Sequence, residues 1–234
     1  AIADSGCDSH QIAALGITAD AMAGHGPAGA MVDVEAGHWW ESGMNLLLPA
    51  LAPHFMTEER IVAGLRQMVV YLRGNGVTAF NEPGIMWDLE PWQLYQDILG
   101  ASDTPMTSTF LVDARSQADS GMAPADAVAD AERQVANNSV GKVRLLPKQV
   151  KLFADGAIIS QLMQMREPYL DDHGHPDLCH HGEWMMQPDT FRAFARVYWN
   201  AGWQLHIHVN GDAALDLVLD TIEGCMAEHP RTDH

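Results

Sequence analysis

The spacing of apolar and polar positions divides the chain into an irregular first quarter and a longer part in which short apolar runs alternate with amphipathic ones. Residues 1 to about 55 are rich in Gly, Ala and His and keep no sustained period, apart from a short helix expected around Ser9 to Leu15. Thr57 then reads as a helix N-cap, with Glu58, Glu59 and Arg60 behind it. Ile61, Leu65, Met68, Val69 and Leu72 continue that helix at a 3.6-residue period, and Asn75-Gly76 stops it. Val77 to Phe80 reads as a buried strand closed by Glu82, Pro83 and Gly84, and Trp87 to Leu99 as a helix. The pattern repeats with a strand at Thr107 to Val112 and a helix at Ala123 to Asn137, where Pro124 sits in a tolerated early position. A third strand, Val150 to Phe153, leads into a long loop from about Ile158 to Met186. A helix from Pro188 to Ala201, a strand from Trp203 to Val209 and a helix from Ala213 to Met226 complete the series.

Strands alternating with helices imply a parallel sheet with right-handed crossovers, hence an α/β fold. Four such units are about half of an eight-fold (β/α) barrel, which needs ~250 residues when complete. A small doubly wound sheet is the alternative. The expected division is an insertion over 1–55 followed by a partial barrel over 56–234.

Composition narrows the partners. The 234 residues carry 13 Lys+Arg against 31 Asp+Glu, a formal net charge of −18, which argues against nucleic acid and anionic membranes. Hydrophobic residues at 47% supply material for a core. The longest apolar run, Met44 to Phe55, is interrupted by Pro49 and Pro53 and falls short of the roughly 18 residues of a membrane span. Cys7, Cys179 and Cys225 are far apart and odd in number, so no disulfide framework is implied. The chain opens on Ala1 and closes on Arg231-Thr232-Asp233-His234, and it is expected to be an internal piece of a longer polypeptide. The compartment stays open, with the cytoplasm slightly favoured, and a homo-oligomer is allowed.

In parallel α/β folds, reactive groups collect at the C-terminal edge of the strands. Three strand ends here carry unusual polar residues: Asn81-Glu82, then Lys151 and Asp155, then His206, His208, Asn210 and Asp212. Lys151 interrupts an apolar strand, where desolvation would favour the neutral amine, a base, a nucleophile or a carbamate former; the plainer alternative is a strand-start lysine that reaches solvent. His206-Ile207-His208 puts two imidazoles on one face, suited to Zn²⁺ or simply a satisfied buried pair. Asp212 either caps the helix at Ala213 or orients a histidine. The loop His173 to His181 lacks a repeated Cys-x-x-Cys, so a lid or substrate contact is preferred over a structural zinc site. No Gly-x-Gly-x-x-Gly follows a strand, and Walker and Gly-x-Ser-x-Gly patterns are absent.

The run Val150-Lys151-Leu-Phe-Ala-Asp155-Gly156, with Gln204-Leu-His206-Ile-His208-Val-Asn210-Gly-Asp212 about 50 residues on, resembles paired signatures of the amidohydrolase superfamily. The branch is the YtcJ-like one, amidohydrolase family 3, which includes N-substituted formamide deformylase. The stretch Asp155 to Met165, with His181-Gly-Glu-Trp-Met-Met186, is similar to members labelled exoenzyme regulatory protein. The resemblance implies a metal-dependent (β/α)8 barrel of which this chain holds strands two to five, a partial TIM-type barrel. It implies Lys151, carboxylated in many relatives, and His208 as metal ligands, with one or two divalent ions, zinc first among them. His206, Asp212, Asp155 and Glu82 become candidates for orienting the metal ligands or touching the substrate. The first-strand His-x-His pair, the strand-six histidine and the strand-eight aspartate of the family have no match, so the general base is expected outside this chain. The implied reaction is hydrolysis of a non-peptide C–N bond in a small amide or formamide-like substrate, the chain alone being inactive. A non-catalytic barrel that binds a small molecule or protein in a regulatory role is the alternative.

Overall fold

The computed structural model describes residues 16–84, 92–139, 141–171 and 173–232. It divides into two compact units, 1–61 and 62–234. The helix expected around Ser9 to Leu15 lies outside the described residues.

The first unit is more ordered than its sequence suggests. Short helices α1 (Ala19–Ala23) and α2 (Gly26–Ala30) precede a two-stranded antiparallel ladder of β1 (Val32–Asp33) and β2 (His38–Trp39). Helix α3 (Met44–Phe55) follows. Ile17, Met22, Trp39 and Leu47 form its small buried cluster. Elements this short leave no room for a period to register, so the pattern hid them. In α3 the prolines Pro49 and Pro53 stay inside the helix. Each deletes one backbone donor, a defect that argues against a helix in isolation. Burial of Leu47 and contact of Met44, Leu46, Ala50 and Leu51 with the cluster hold the helix together.

Helix α4 (Glu58–Gly74) runs across the division at residue 61 and leads to β3 (Ala79–Glu82), α5 (Trp92–Leu99), β4 (Thr107–Asp113), α6 (Ala114–Asp119), α7 (Pro124–Asn138), β5 (Val143–Phe153), α8 (Pro188–Asn200), β6 (Gln204–His208) and α9 (Asp212–Glu228). The start of the helix expected from Trp87 lies outside the described residues. The four strands pair in parallel in the order β3-β4-β5-β6, and with their helices they form a partial (β/α)8 barrel. Phe110, Val112, Leu145, Val150 and Leu152 on the sheet pack with Ala127, Ala131, Phe191, Phe194, Tyr198 and Leu217 from the helices.

Strand β5 is longer than its sequence predicts. Pairing with β4 jumps from Phe110↔Leu145 to Val112↔Val150, so five residues of β5 span two of β4. The extra residues include Pro147 and Lys148, the latter at φ 58°. Pro and a left-handed residue read locally as a turn, and this bulge therefore concealed the first half of the strand. The β4 end also starts a helix the pattern does not announce: Asp113 caps α6, its Oδ1 accepting from the Arg115 amide at 2.9 Å.

Candidate metal centre

Register decides which side chains converge. Asp113 pairs with Lys151 and Lys151 with His206, so the three share one row across β4, β5 and β6. Phe153 pairs with His208 two positions further along the strands and on the same face. The intervening residues Val112, Val150 and Leu205, then Leu152 and Ile207, face the helices and the apolar core. The polar row thus belongs to the inner face of the partial barrel, near the strands' C-terminal ends.

Lys151 is 9% exposed, and its Nζ lies 4.3 Å from the centroid of the Phe153 ring. Burial lowers its pKa from the ordinary lysine value, against the opposing pull of the Asp113 and Glu82 charges. The shift is towards the neutral amine, the form able to donate a lone pair. Asp113 is buried beside it, and burial raises its carboxyl above the usual range despite hydrogen bonds from Ser116 and Arg115. Neither Asp113 nor Arg115 was singled out in the sequence; the one signal available was position, at and just past a strand's C-terminal end.

His206 is lowered in pKa first by desolvation and then by the Lys151 charge. Its Nε2 lies 2.9 Å from Gln149 Oε1, on the same face of the neighbouring strand. His208 stands 5.6 Å from Phe153, ring centroid to ring centroid. Its Nε2 is 2.8 Å from Asn210 Nδ2, which also donates to the Gly156 carbonyl at 3.1 Å. With the amide donating, the ring's lone pair is on Nε2, where a metal would compete with Asn210 for it.

The remaining candidates have other partners. Asp155 is fully buried: Oδ1 accepts from the Asn210 amide at 2.9 Å, and Oδ2 accepts from Gln164 at 2.9 Å and Gly211 at 2.6 Å. It ties the loop after β5 to the turn after β6. Asp212 is exposed in the first turn of α9, where Oδ1 accepts from the amides of Ala213 and Arg166. Arg166 in turn grips Asp216 at 2.6 Å. Glu82 Oε1 accepts from the Gly84 amide at 2.9 Å at the end of β3, close enough for its charge to act on Lys151. In the long loop, the Asp171 carboxylate accepts from the amides of His173 and His175, and His180 stacks on Tyr169.

Among the described residues, no group of three or more His, Cys, Asp or Glu is placed to hold a metal ion. The donor set that does fit is partial: a lysine pushed towards its neutral form and one imidazole, on one face of two neighbouring strands. Both are chemically suited to a divalent ion, the lysine as an amine or as its carbamate.

The chain matches the amidohydrolase family over residues 6–234, and it belongs to that family. Its fold is similar to the crystal structures of two uncharacterized metal-dependent hydrolases. One is from Pyrococcus horikoshii (TM-score 0.52, 21% identity, 83% of this chain and 36% of that one). The other is from Pyrococcus furiosus (TM-score 0.55, 18% identity, 83% of this chain and 38% of that one). The chain therefore spans little more than a third of their length. No curated protein matches its sequence.

Proposed function

We propose that this chain contributes part of the active site of a metal-dependent hydrolase that cleaves non-peptide C–N bonds in small amide or N-substituted formamide-like substrates. Membership of the amidohydrolase family supports the reading, and the runs Val150 to Gly156 and Gln204 to Asp212 resemble the signatures of its YtcJ-like branch. The observation that carries it is the placing of Lys151 and His208 on one inner face, both against the Phe153 ring. These two residues would hold the ion, zinc being the expected one. When bound, a divalent ion at such a site acidifies water and polarises a carbonyl.

The chain's own residues set the stage for that chemistry. Burial shifts Lys151 towards the lone-pair form, which is also the form that adds carbon dioxide. Asn210 fixes the orientation of the His208 ring, and Asp155 fixes the backbone of Asn210. No residue here is assigned as general base, and the 234-residue chain by itself is expected to be inactive.

The test is metal analysis and turnover of N-substituted formamides with the full-length protein, its Lys151→Ala form and its His208→Ala form. Loss of bound metal and turnover in both variants is expected. Retained activity in both overturns the proposal, and a metal-free protein that still binds small molecules would favour a non-catalytic barrel instead.

A further inference from the structure

A second cationic side chain reaches the Phe153 ring. Arg115 opens α6 immediately after β4, on the edge of the sheet where Lys151 and His208 lie. Its Cζ is 5.6 Å from the Phe153 centroid, the same ring that Lys151 Nζ approaches to 4.3 Å and His208 to 5.6 Å.

The guanidinium is poorly matched within the chain. Its side chain is 15% exposed, yet its one ion pair among the described residues is a single 3.4 Å contact from Nε to Asp119, whose own side chain is 60% exposed. A carboxylate that filled the guanidinium's needs would take the two-pronged geometry through the Nη atoms. Arg115 uses no Nη atom in any such contact among the described residues. Desolvating a guanidinium without a matched partner is costly, and a ligand anion is the group that would repay it. The Asp113 charge acts on Arg115 from a distance, but its oxygens accept from the Ser116 hydroxyl and the Arg115 backbone amide and make no hydrogen bond to the guanidinium among the described residues.

We propose that Arg115 is a specificity-determining residue that binds an anionic group of the substrate, a carboxylate carried beside the C–N bond to be cleaved. This rests on the reading of the inner face as a hydrolase site. Phe153 provides the apolar floor between the anion at Arg115 and the reacting end at Lys151 and His208. Unlike Lys151, a guanidinium cannot be neutralised by burial, so the positive charge at this position is permanent.

The test is isothermal titration of the full-length protein with hexanoate and with hexanamide, two probes alike in shape and different in charge. Hexanoate is expected to bind at least about tenfold more tightly. Arg115→Met should abolish that preference while leaving hexanamide binding within about twofold, and Arg115→Lys should retain part of it as a point charge. Equal binding of the two probes to the wild type, or a preference that survives in Arg115→Met, overturns the proposal. Thermal melts of each variant separate lost recognition from lost folding, with Arg115→Lys as the milder replacement. The readout needs no turnover. A preference present in a protein that hydrolyses nothing refutes the hydrolase reading alone, and turnover without any preference refutes the role of Arg115 alone.

Discussion

Lys151 and His206 are direct partners in the β5–β6 ladder, and the charge of the lysine is one of the two causes that hold the histidine below its ordinary pKa. The pairing puts two ionisable groups on the inner face within each other's field, so each reports on the other. Replacing Lys151 with Met removes the charge and preserves the side-chain length. The imidazole of His206 should then titrate closer to its ordinary value, with part of the depression remaining because desolvation is the larger cause. NMR titration of the histidine ring signals in wild type and K151M measures the shift; no movement would mean that the two side chains do not interact.

His206 also makes stability depend on pH. Its folded pKa is below 6.5, so between that value and 6.5 the unfolded chain binds more protons than the folded one. Stability therefore rises with pH across that window and is lost as pH falls through it. His206→Gln should flatten this part of the curve, as seen in urea melts between pH 5 and 7 of wild type and variant.

Asp113 acts in the opposite direction. Burial raises its folded pKa above 3.8, so the folded state holds the proton longer, and its contribution is present below the unfolded value and lost as pH rises through the folded one. Asp113→Asn, which cannot ionise, should remove that loss. The measurement is the difference in unfolding free energy between wild type and variant from acid to neutral pH; a difference that does not change with pH contradicts the assignment.

Asp155 satisfies three backbone amides, those of Gln164, Asn210 and Gly211. An asparagine keeps one acceptor oxygen and turns an amino group towards N–H donors. Asp155→Asn should cost about 3 kcal/mol, since hydrogen bonds to a charged group contribute about 1.5–3 kcal/mol each. Urea denaturation gives the number. A loss under about 1 kcal/mol would show that water replaces the carboxylate.

Two glycines give a matched pair. A Cβ on Gly211 would fall 2.0 Å from the Gln164 carbonyl oxygen, whereas one on Gly224 in α9 meets nothing within 4 Å. Gly211→Ala must push apart the two loops that Asp155 joins, and should destabilise by more than about 2 kcal/mol. Gly224→Ala should stabilise by up to about 1 kcal/mol, because alanine is the better helix former. Thermal melts of both distinguish a close approach from mere helix propensity.

The βα alternation was legible because β4, β6 and the helices α4, α7, α8 and α9 each carry a period long enough to see. Lys151 and the two histidines were legible too, as polar residues placed where a strand should be apolar. What could not be read was anything set by register. The bulge at Pro147 and Lys148 imitates a turn in one dimension, and Asp113 becomes Lys151's neighbour only once β4 and β5 are aligned across that bulge. Arg115 meets Phe153 for the same reason, at a separation of 38 positions along the chain. In the first unit the short helices and strands escaped because each spans little more than one period, and α3 because Pro49 and Pro53 argue locally against a helix.

The strand order β3-β4-β5-β6 is also the order of synthesis. From β4 onwards each strand leaving the ribosome finds a partner already made. Assembly can therefore proceed vectorially, one βα unit at a time, as the polypeptide grows. The row of Asp113, Lys151 and His206 would be written in that same sequence, with its histidine arriving last.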